Sequence, residues 1–367
     1  MPIALKRTLE VLHASDGATY LLRGAADAEF VVEDANAQER ALIDLLLAGA
    51  GSLEELRRDL ARCGFEVDAG TLEATVADLT SLGLLEEEDP VALIGPVAAE
   101  RYDRQLAYFA DVRPGEAAAL QAALGDARVL LVGVGGLGTW TAAALACSGV
   151  GHLTLVDDDV VELSNLNRQF LYRHEDLGRL KAEAAAEALS AFDPALGLTV
   201  LAERVAGPAD AERIVAGHDF VVELADWPPH ELSRWLDAAC WAEGIARISA
   251  AQFPPRLRIG PTYLRGRTPC LQCQEGQARR DFPLYDELVA MRKARPAAAP
   301  TLGPASAMVG AMIAGDVVHH LTGIAEPATL GTALIVDLRD LSIRREPLER
   351  DPACPRCGEG TEPSLAC

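Results

Sequence analysis

The stretch Val129-Leu130-Leu131-Val132-Gly133-Val134-Gly135-Gly136-Leu137-Gly138 decides the fold, and Leu153-Thr154-Leu155-Val156-Asp157-Asp158-Asp159 comes about twenty residues later. Four consecutive apolar residues read as a buried strand, because a parallel strand covered on both faces need not alternate. The glycines then permit a tight turn and a close backbone approach to phosphate, at the N-terminus of an Ala-rich helix. An acidic residue ending the next strand is placed to hold a ribose hydroxyl. Alone, the pattern says that a nucleotide binds, and a plain strand–turn–helix gives the same signal.

The residues beyond the second strand narrow the reading. Ser164-Asn165-Leu166-Asn167-Arg168-Gln169 and Gly178-Arg179-Leu180-Lys181 place an amide, a guanidinium and an ammonium there. A dehydrogenase needs none of these after its ribose carboxylate, whereas a triphosphate does. The combination of Arg101-Tyr102-Asp103-Arg104-Gln105, the glycine loop, Asp157-x-Asp159, Asn165-x-x-Arg168-Gln169, Lys181, Asp226 and two Cys-x-x-Cys pairs resembles the ThiF/MoeB/HesA superfamily of adenylyltransferases. These are relatives of the ubiquitin-activating enzymes, and the resemblance runs from Arg101 to about Cys357. It implies a doubly wound, Rossmann-like, mostly parallel α/β sheet.

The resemblance also implies a chemistry, in which a carboxylate attacks the α-phosphorus of ATP and pyrophosphate leaves. Gly133, Gly135, Gly136 and Gly138 would cradle the nucleotide, with Asp157 on its ribose and Asp159 beside it. Asn165, Arg168 and Lys181 would hold the triphosphate, and Asp226 would orient Mg2+. Arg104 would reach the phosphates from the neighbouring subunit of a homodimer. Such a transition state gathers negative charge and needs these cations.

Two departures stand out. Many members show Asp-x-x-Asp-Asn where this chain has Glu223-Leu224-Ala225-Asp226-Trp227, so Trp227 replaces an amide near the adenine or acceptor. In addition, no cysteine lies between Gln274 and Cys354, where sulfur-transferring relatives hold a nucleophile. Thioester or persulfide chemistry on this chain is therefore not expected. His319-His320 is assigned no catalytic role.

Net charge is −22, from 55 acidic and 33 basic residues, which disfavours an extended nucleic-acid surface. No apolar run approaches a membrane span, and the first residues lack a signal peptide's apolar core, so a soluble cytoplasmic protein without membrane or nucleic-acid partners is expected. In that compartment Cys270-x-x-Cys273 and Cys354-x-x-Cys357 read as one structural zinc site joining distant segments, not as disulfides. Cys63, Cys147 and Cys240 read as buried small hydrophobes, and Cys367 as incidental.

Residues 1–88 read as a separate module. Thr19-Tyr20-Leu21-Leu22-Arg23 and Phe30-Val31-Val32-Glu33 suggest a hairpin. Helices are expected over Ala37 to Ala48, from a Ser52/Glu55 capping box to Ala61, and from Thr71 to Leu82. This winged-helix-like layout rarely grips DNA without basic residues, and the third helix has no Lys or Arg. It instead resembles the PqqD-like leader-peptide recognition elements, through Ser52-Leu53-Glu54-Glu55-Leu56 and Leu79-x-x-Leu82-Gly83-Leu84-Leu85. Such modules bind peptide by strand addition.

Residues 89–100, punctuated by Asp89-Pro90 and Gly95-Pro96, read as a linker, and 101–367 as the adenylating domain. Within it, Leu198 to Arg204 and Phe220 to Asp226 read as further strands, Ala305 to Leu321 as a helix and Ala333 to Leu338 as a late strand. Gln274 to Ala299 reads as a mobile crossover loop. The domain order resembles microcin-C-type peptide adenylating enzymes. It implies ATP-dependent adenylation of a carboxylate on a ribosomally synthesised precursor peptide whose leader the first module holds. Alternatives are activation of a Gly-Gly-ending sulfur carrier, which leaves residues 1–88 idle, and a non-catalytic peptide scaffold.

Overall fold

The computed structural model describes residues 3–23, 28–86, 89–295 and 300–358, so Cys367 lies outside them. The chain divides into two compact units, Met1–Ala122 and Ala123–Cys367.

In the first unit, β1 (Glu10–His13), β2 (Thr19–Leu22) and β3 (Ala28–Val32) form an antiparallel sheet in that order. The hairpin is present, and β1 extends it by a strand too short and too mixed in polarity to stand out in the sequence. Helices α1 (Ala37–Ala48), α2 (Leu53–Arg62) and α3 (Ala69–Ser81) bury Ile43, Leu46, Leu56, Leu60 and Leu72 against Leu21 of the sheet. The capping differs in detail from expectation. Ser52 Oγ does accept from the Glu55 N–H, but the Glu55 carboxylate reaches back to the Gly51 N–H instead of Ser52. A complete capping box stands at Asn36 and Glu39, and Asp68, not Thr71, caps α3.

The residues expected to be a linker are helical. In α4 (Pro90–Arg101) the Asp89 side chain caps the first turn and Gly95, at φ +79°, kinks the axis. Helices α5 (Asp103–Val112) and α6 (Ala117–Asp126) come next. The first unit runs on to Ala122 because Lys6 Nζ donates to the Ala110 carbonyl and Thr8 Oγ1 to Asp111, while Arg7 pairs with Asp103.

The second unit holds β4 (Arg128–Val132), α7 (Gly136–Cys147), β5 (His152–Val156), α8 (Lys181–Phe192), β6 (Gly197–Leu201), α9 (Pro208–Val215), β7 (Phe220–Glu223), α10 (Glu231–Glu243) and β8 (Ala246–Phe253). Then come β9 (Arg256–Tyr263), α11 (Leu271–Asp281), α12 (Tyr285–Ala294), α13 (Gly303–Thr322), β10 (Thr332–Asp337) and β11 (Ser342–Pro347). One eight-stranded sheet results, in the order β11-β10-β9-β8-β7-β4-β5-β6. Strands β4 to β8 run parallel and β9 to β11 antiparallel. Strand order reverses at β4, between β5 and β7, which is where open α/β sheets bind ligands. No helix among the described residues is long and apolar enough to cross a membrane.

The expected crossover loop is mostly helix. Arg279 links α11 to α12 through Asp286 at 3.0 Å, and Arg292 and Lys293 sit in the last turn of α12, where cations suit the helix dipole. Cys240 is buried as expected, whereas Cys63 and Cys147 are exposed, one closing α2 and the other in the last turn of α7.

A chain of buried ions crosses the second unit. Arg247, 1% exposed, pairs with Glu223 and, at 3.0 Å, with Asp237, which also takes Arg356. Glu223 accepts from Ser233 Oγ as well, so its carboxylate is spent on the fold. Removing the cation would leave two buried carboxylates under-compensated. Arg247→Met should therefore cost about 3–5 kcal/mol of stability, read from the urea midpoint at constant slope.

Candidate nucleotide site

The loop after β4 is shaped by steric necessity. Gly133 has φ +98°, and a Cβ there would lie 2.5 Å from the Ala225 nitrogen; one at Gly138 would meet the Gly133 oxygen at 2.0 Å. These two glycines therefore serve the loop's own closure. The N-terminus of α7, with Gly135 as N-cap and no side-chain cap, leaves its first N–H groups facing outward for an anion. At Gly136 a Cβ would stand 3.3 Å from the Arg168 Cδ, so the Arg168 stem lies over the helix start.

Asp157 locks this loop. One carboxylate oxygen accepts from the Val134 N–H at 2.8 Å and the other from the Asp159 N–H at 2.9 Å. Burial raises the Asp157 pKa, with those two donors and Lys181 pulling the other way. Each oxygen keeps a lone pair with which to accept a further hydrogen bond. Lys181 opens α8 and is 7% exposed; its ammonium meets Asp159 at 2.7 Å, and its N–H donates to the Asp159 carbonyl. Tyr172, whose hydroxyl donates to the Val134 and Lys181 carbonyls, joins the two segments.

Arg168 donates to the Ser164 carbonyl at 2.7 Å and to Asn167, and has no carboxylate partner among the described residues. Asn165 is buried, and its amide oxygen closes a short 3-10 turn by accepting from the Glu162 N–H. Only its amide nitrogen, 3.4 Å from Ser164 Oγ, has donor capacity to spare. Asp226 lies one residue beyond the Leu224 and Ala225 N–H groups that both donate to the Val132 carbonyl; it is exposed and unpaired among the described residues. Trp227 beside it is exposed. Gly133, Gly135, Gly136, Gly138, Asp157, Asp159, Arg168, Lys181 and Asp226 thus gather around one end of β4, β5 and β7. Arg104 belongs to the other unit, on α5, with its side chain exposed and Asp103 3.8 Å away.

In the sequence Gln169 is only the last residue of a motif, yet the fold gives it a place. It is 3% exposed, its amide nitrogen faces Gly135, and its Oε1 is the one buried side-chain oxygen without a partner among the described residues. A bound group donating a hydrogen bond beside the loop would satisfy it.

The four cysteines converge. Cys270–Cys354, Cys273–Cys357 and Cys270–Cys273 sulfur distances are 3.6, 3.4 and 4.0 Å, and all four are buried. A tetrahedral ion with Zn–S bonds of about 2.3 Å sets its sulfurs about 3.8 Å apart, so the cage fits zinc.

A glycine loop at the switch point of the sheet, with the Asp157 carboxylate and the cations Arg168 and Lys181 beside it, is the layout of a nucleotide site in an α/β enzyme. The model of the ThiF family matches residues 102–356. The chain is 31% identical over 239 residues to the molybdopterin-synthase adenylyltransferase of Escherichia coli, spanning 65% of this chain and 90% of that protein. It is 33% identical over 236 residues to the sulfur carrier protein ThiS adenylyltransferase of the same organism, spanning 64% and 86%. Among solved structures, Escherichia coli MccB with ATP superposes with a TM-score of 0.74 at 22% identity, covering 98% of this chain and 100% of that one. PaaA superposes equally, at 0.74 and 25% identity, covering 94% and 99%. The chain belongs to the ThiF family and is an adenylyltransferase.

Proposed function

We propose that this enzyme adenylates a carboxylate of a ribosomally made precursor peptide, using ATP and releasing pyrophosphate. The supporting observation is the first unit. The curated relatives span about two thirds of the chain, whereas the MccB fold, also solved in complex with N-formylated MccA, spans nearly all of it. In this reading β3, an edge strand of the small sheet, receives the leader by strand addition. Holding the leader raises the acceptor's effective concentration at the nucleotide site.

Lys181, Arg168 and Asn165 hold the triphosphate in this assignment, Asp226 holds Mg2+, and Arg104 arrives from the second subunit of a homodimer. Zinc in the four-cysteine cage is structural. The intact set of cations disfavours a purely structural nucleotide fold. The sulfur-carrier alternative draws on the curated relatives alone and leaves the first unit without a task.

ATP–pyrophosphate exchange tests the choice. Exchange that depends on a leader-bearing peptide supports the proposal. Exchange driven only by a Gly-Gly-ending carrier protein would replace it with the sulfur-carrier reading.

A further inference from the structure

The sheet face that carries Glu223 and Arg247 continues past the last residue of β7. Alternation along β8 puts Arg247, Ser249, Ala251 and Phe253 on that face, and the register pairs Ala251 with Arg258 of β9, then Arg258 with Ile335 of β10. Toward the start of β8 the face is closed, with Arg247 and Tyr263 both buried. Toward its end the face opens: Ala251, Arg258 and Ile335 are half-buried and Phe253 is 54% exposed. Because Ser249 pairs with Glu223 in parallel register, Ala251 lies level with Ala225, next to Asp226. The open part of the face therefore adjoins the carboxyl ends of the parallel strands, where ligands enter such sheets.

The two arginines of this face contrast. Arg247 is balanced by two carboxylates, whereas Arg258 has no carboxylate or hydrogen-bond partner among the described residues. Its neighbours are already occupied. Asp337 serves Arg256 at 3.7 Å and Arg339 at 2.7 Å, and Glu346 serves Arg344. Arg258 thus gives up part of its hydration and recovers no internal ion pair. Small, half-buried side chains at Ser249 and Ala251 leave room beside it.

We propose that this open face is the acceptor groove, and that Arg258 is a specificity-determining residue that binds a carboxylate of the peptide other than the one adenylated. The inference rests on the reading of the enzyme as a peptide adenylyltransferase. Three strand spacings of about 4.8 Å separate β9 from β4, whose end carries the glycine loop, and an arginine side chain spans only part of that. The anchored carboxylate therefore lies one to a few residues from the reacting one, at about 3.3–3.6 Å per residue. It comes from an acidic side chain or from the peptide's C-terminus.

Three small probes at millimolar concentration, assayed by ATP–pyrophosphate exchange with the full-length protein, separate the possibilities. Acetyl-Glu-Gly-amide offers one carboxylate, acetyl-Glu-Glu-amide a second on a side chain, and acetyl-Glu-Gly a second at the terminus. One or both two-carboxylate probes should show a KM about tenfold lower than the single-carboxylate probe, and which of them does identifies the source. In Arg258→Ala that advantage should shrink to near one, and Arg258→Lys should restore part of it. The melting temperature of Arg258→Ala should match the wild type, since no internal partner is lost. Equal KM values for all three probes, or an advantage that survives in Arg258→Ala, would overturn the assignment while leaving peptide adenylation standing. Exchange with a Gly-Gly carrier, but with neither these probes nor a leader-bearing peptide, would overturn both.

Discussion

Methionine in place of Lys181 should lower ATP–pyrophosphate exchange by about 10²–10³-fold, chiefly in kcat, while shifting the melting temperature by no more than about 4 °C. The side chain is buried at the first residue of α8, where the helix dipole already favours anions, and its ammonium is held by Asp159. Methionine keeps the buried stem and removes the charge. The fold loses little, because the Asp159 carboxylate is exposed enough for water to replace its partner. The chemistry loses much. Asp157 and Asp159 would then face a triphosphate with their nearest cation gone, and the negative charge of the pentacoordinate α-phosphorus would lack a preorganised donor. Arginine should not rescue the variant, since a wide planar fork does not occupy a pocket built for a compact ammonium. Exchange within threefold of wild type, with an unchanged melting temperature, would remove Lys181 from the triphosphate site.

Local patterns are the legible part of this chain. The run from Val129 to Gly138 fixes a strand, a turn and a helix within ten residues, so its reading needs no distant contact. The Cys-x-x-Cys pairs are legible despite a separation of 84 residues, because metal ligation restricts spacing within each knuckle. Glu223 illustrates the opposite case. In sequence it stands as a carboxylate three residues before Asp226, and only the strand register shows it consumed by Arg247. Arg258 is silent for the same reason, since lacking a partner is a property of three neighbouring strands. The segment after Gln274 has the polar, mixed composition of a loop. That composition instead laces two helices together through Glu275, Arg279 and Asp286. The apolar neighbours of Cys63 and Cys147 point to the core, yet each cysteine falls where its helix ends and the buried stripe turns away.

Removing the metal from the four-cysteine cage should destabilise the second unit by more than either Lys181→Met or Arg247→Met, lowering its melting temperature by well over 10 °C. Structural zinc sites bind with about 10–16 kcal/mol, and binding energy absent from the unfolded chain becomes folding energy. Here the cage ties the start of α11 to the segment after β11. Without the ion, four buried thiols face one another, and that segment is retained by Arg356 on Asp237 and by Arg350 on the Thr268 and Cys357 carbonyls. Hydrogen bonds from charged donors contribute about 1.5–3 kcal/mol each, too little to replace four metal–sulfur bonds. A chelator titration followed by calorimetry checks this, with re-addition of Zn2+ expected to restore the transition. Cys354→Ser should reproduce the loss and lower the bound zinc per chain. Arg356→Ala should cost less, because Asp237 would still have Arg247 at 3.0 Å. Purified protein that contains no zinc and melts identically with and without chelator would remove the metal from the fold, and the cluster would then stand as four reduced thiols packed against Trp241.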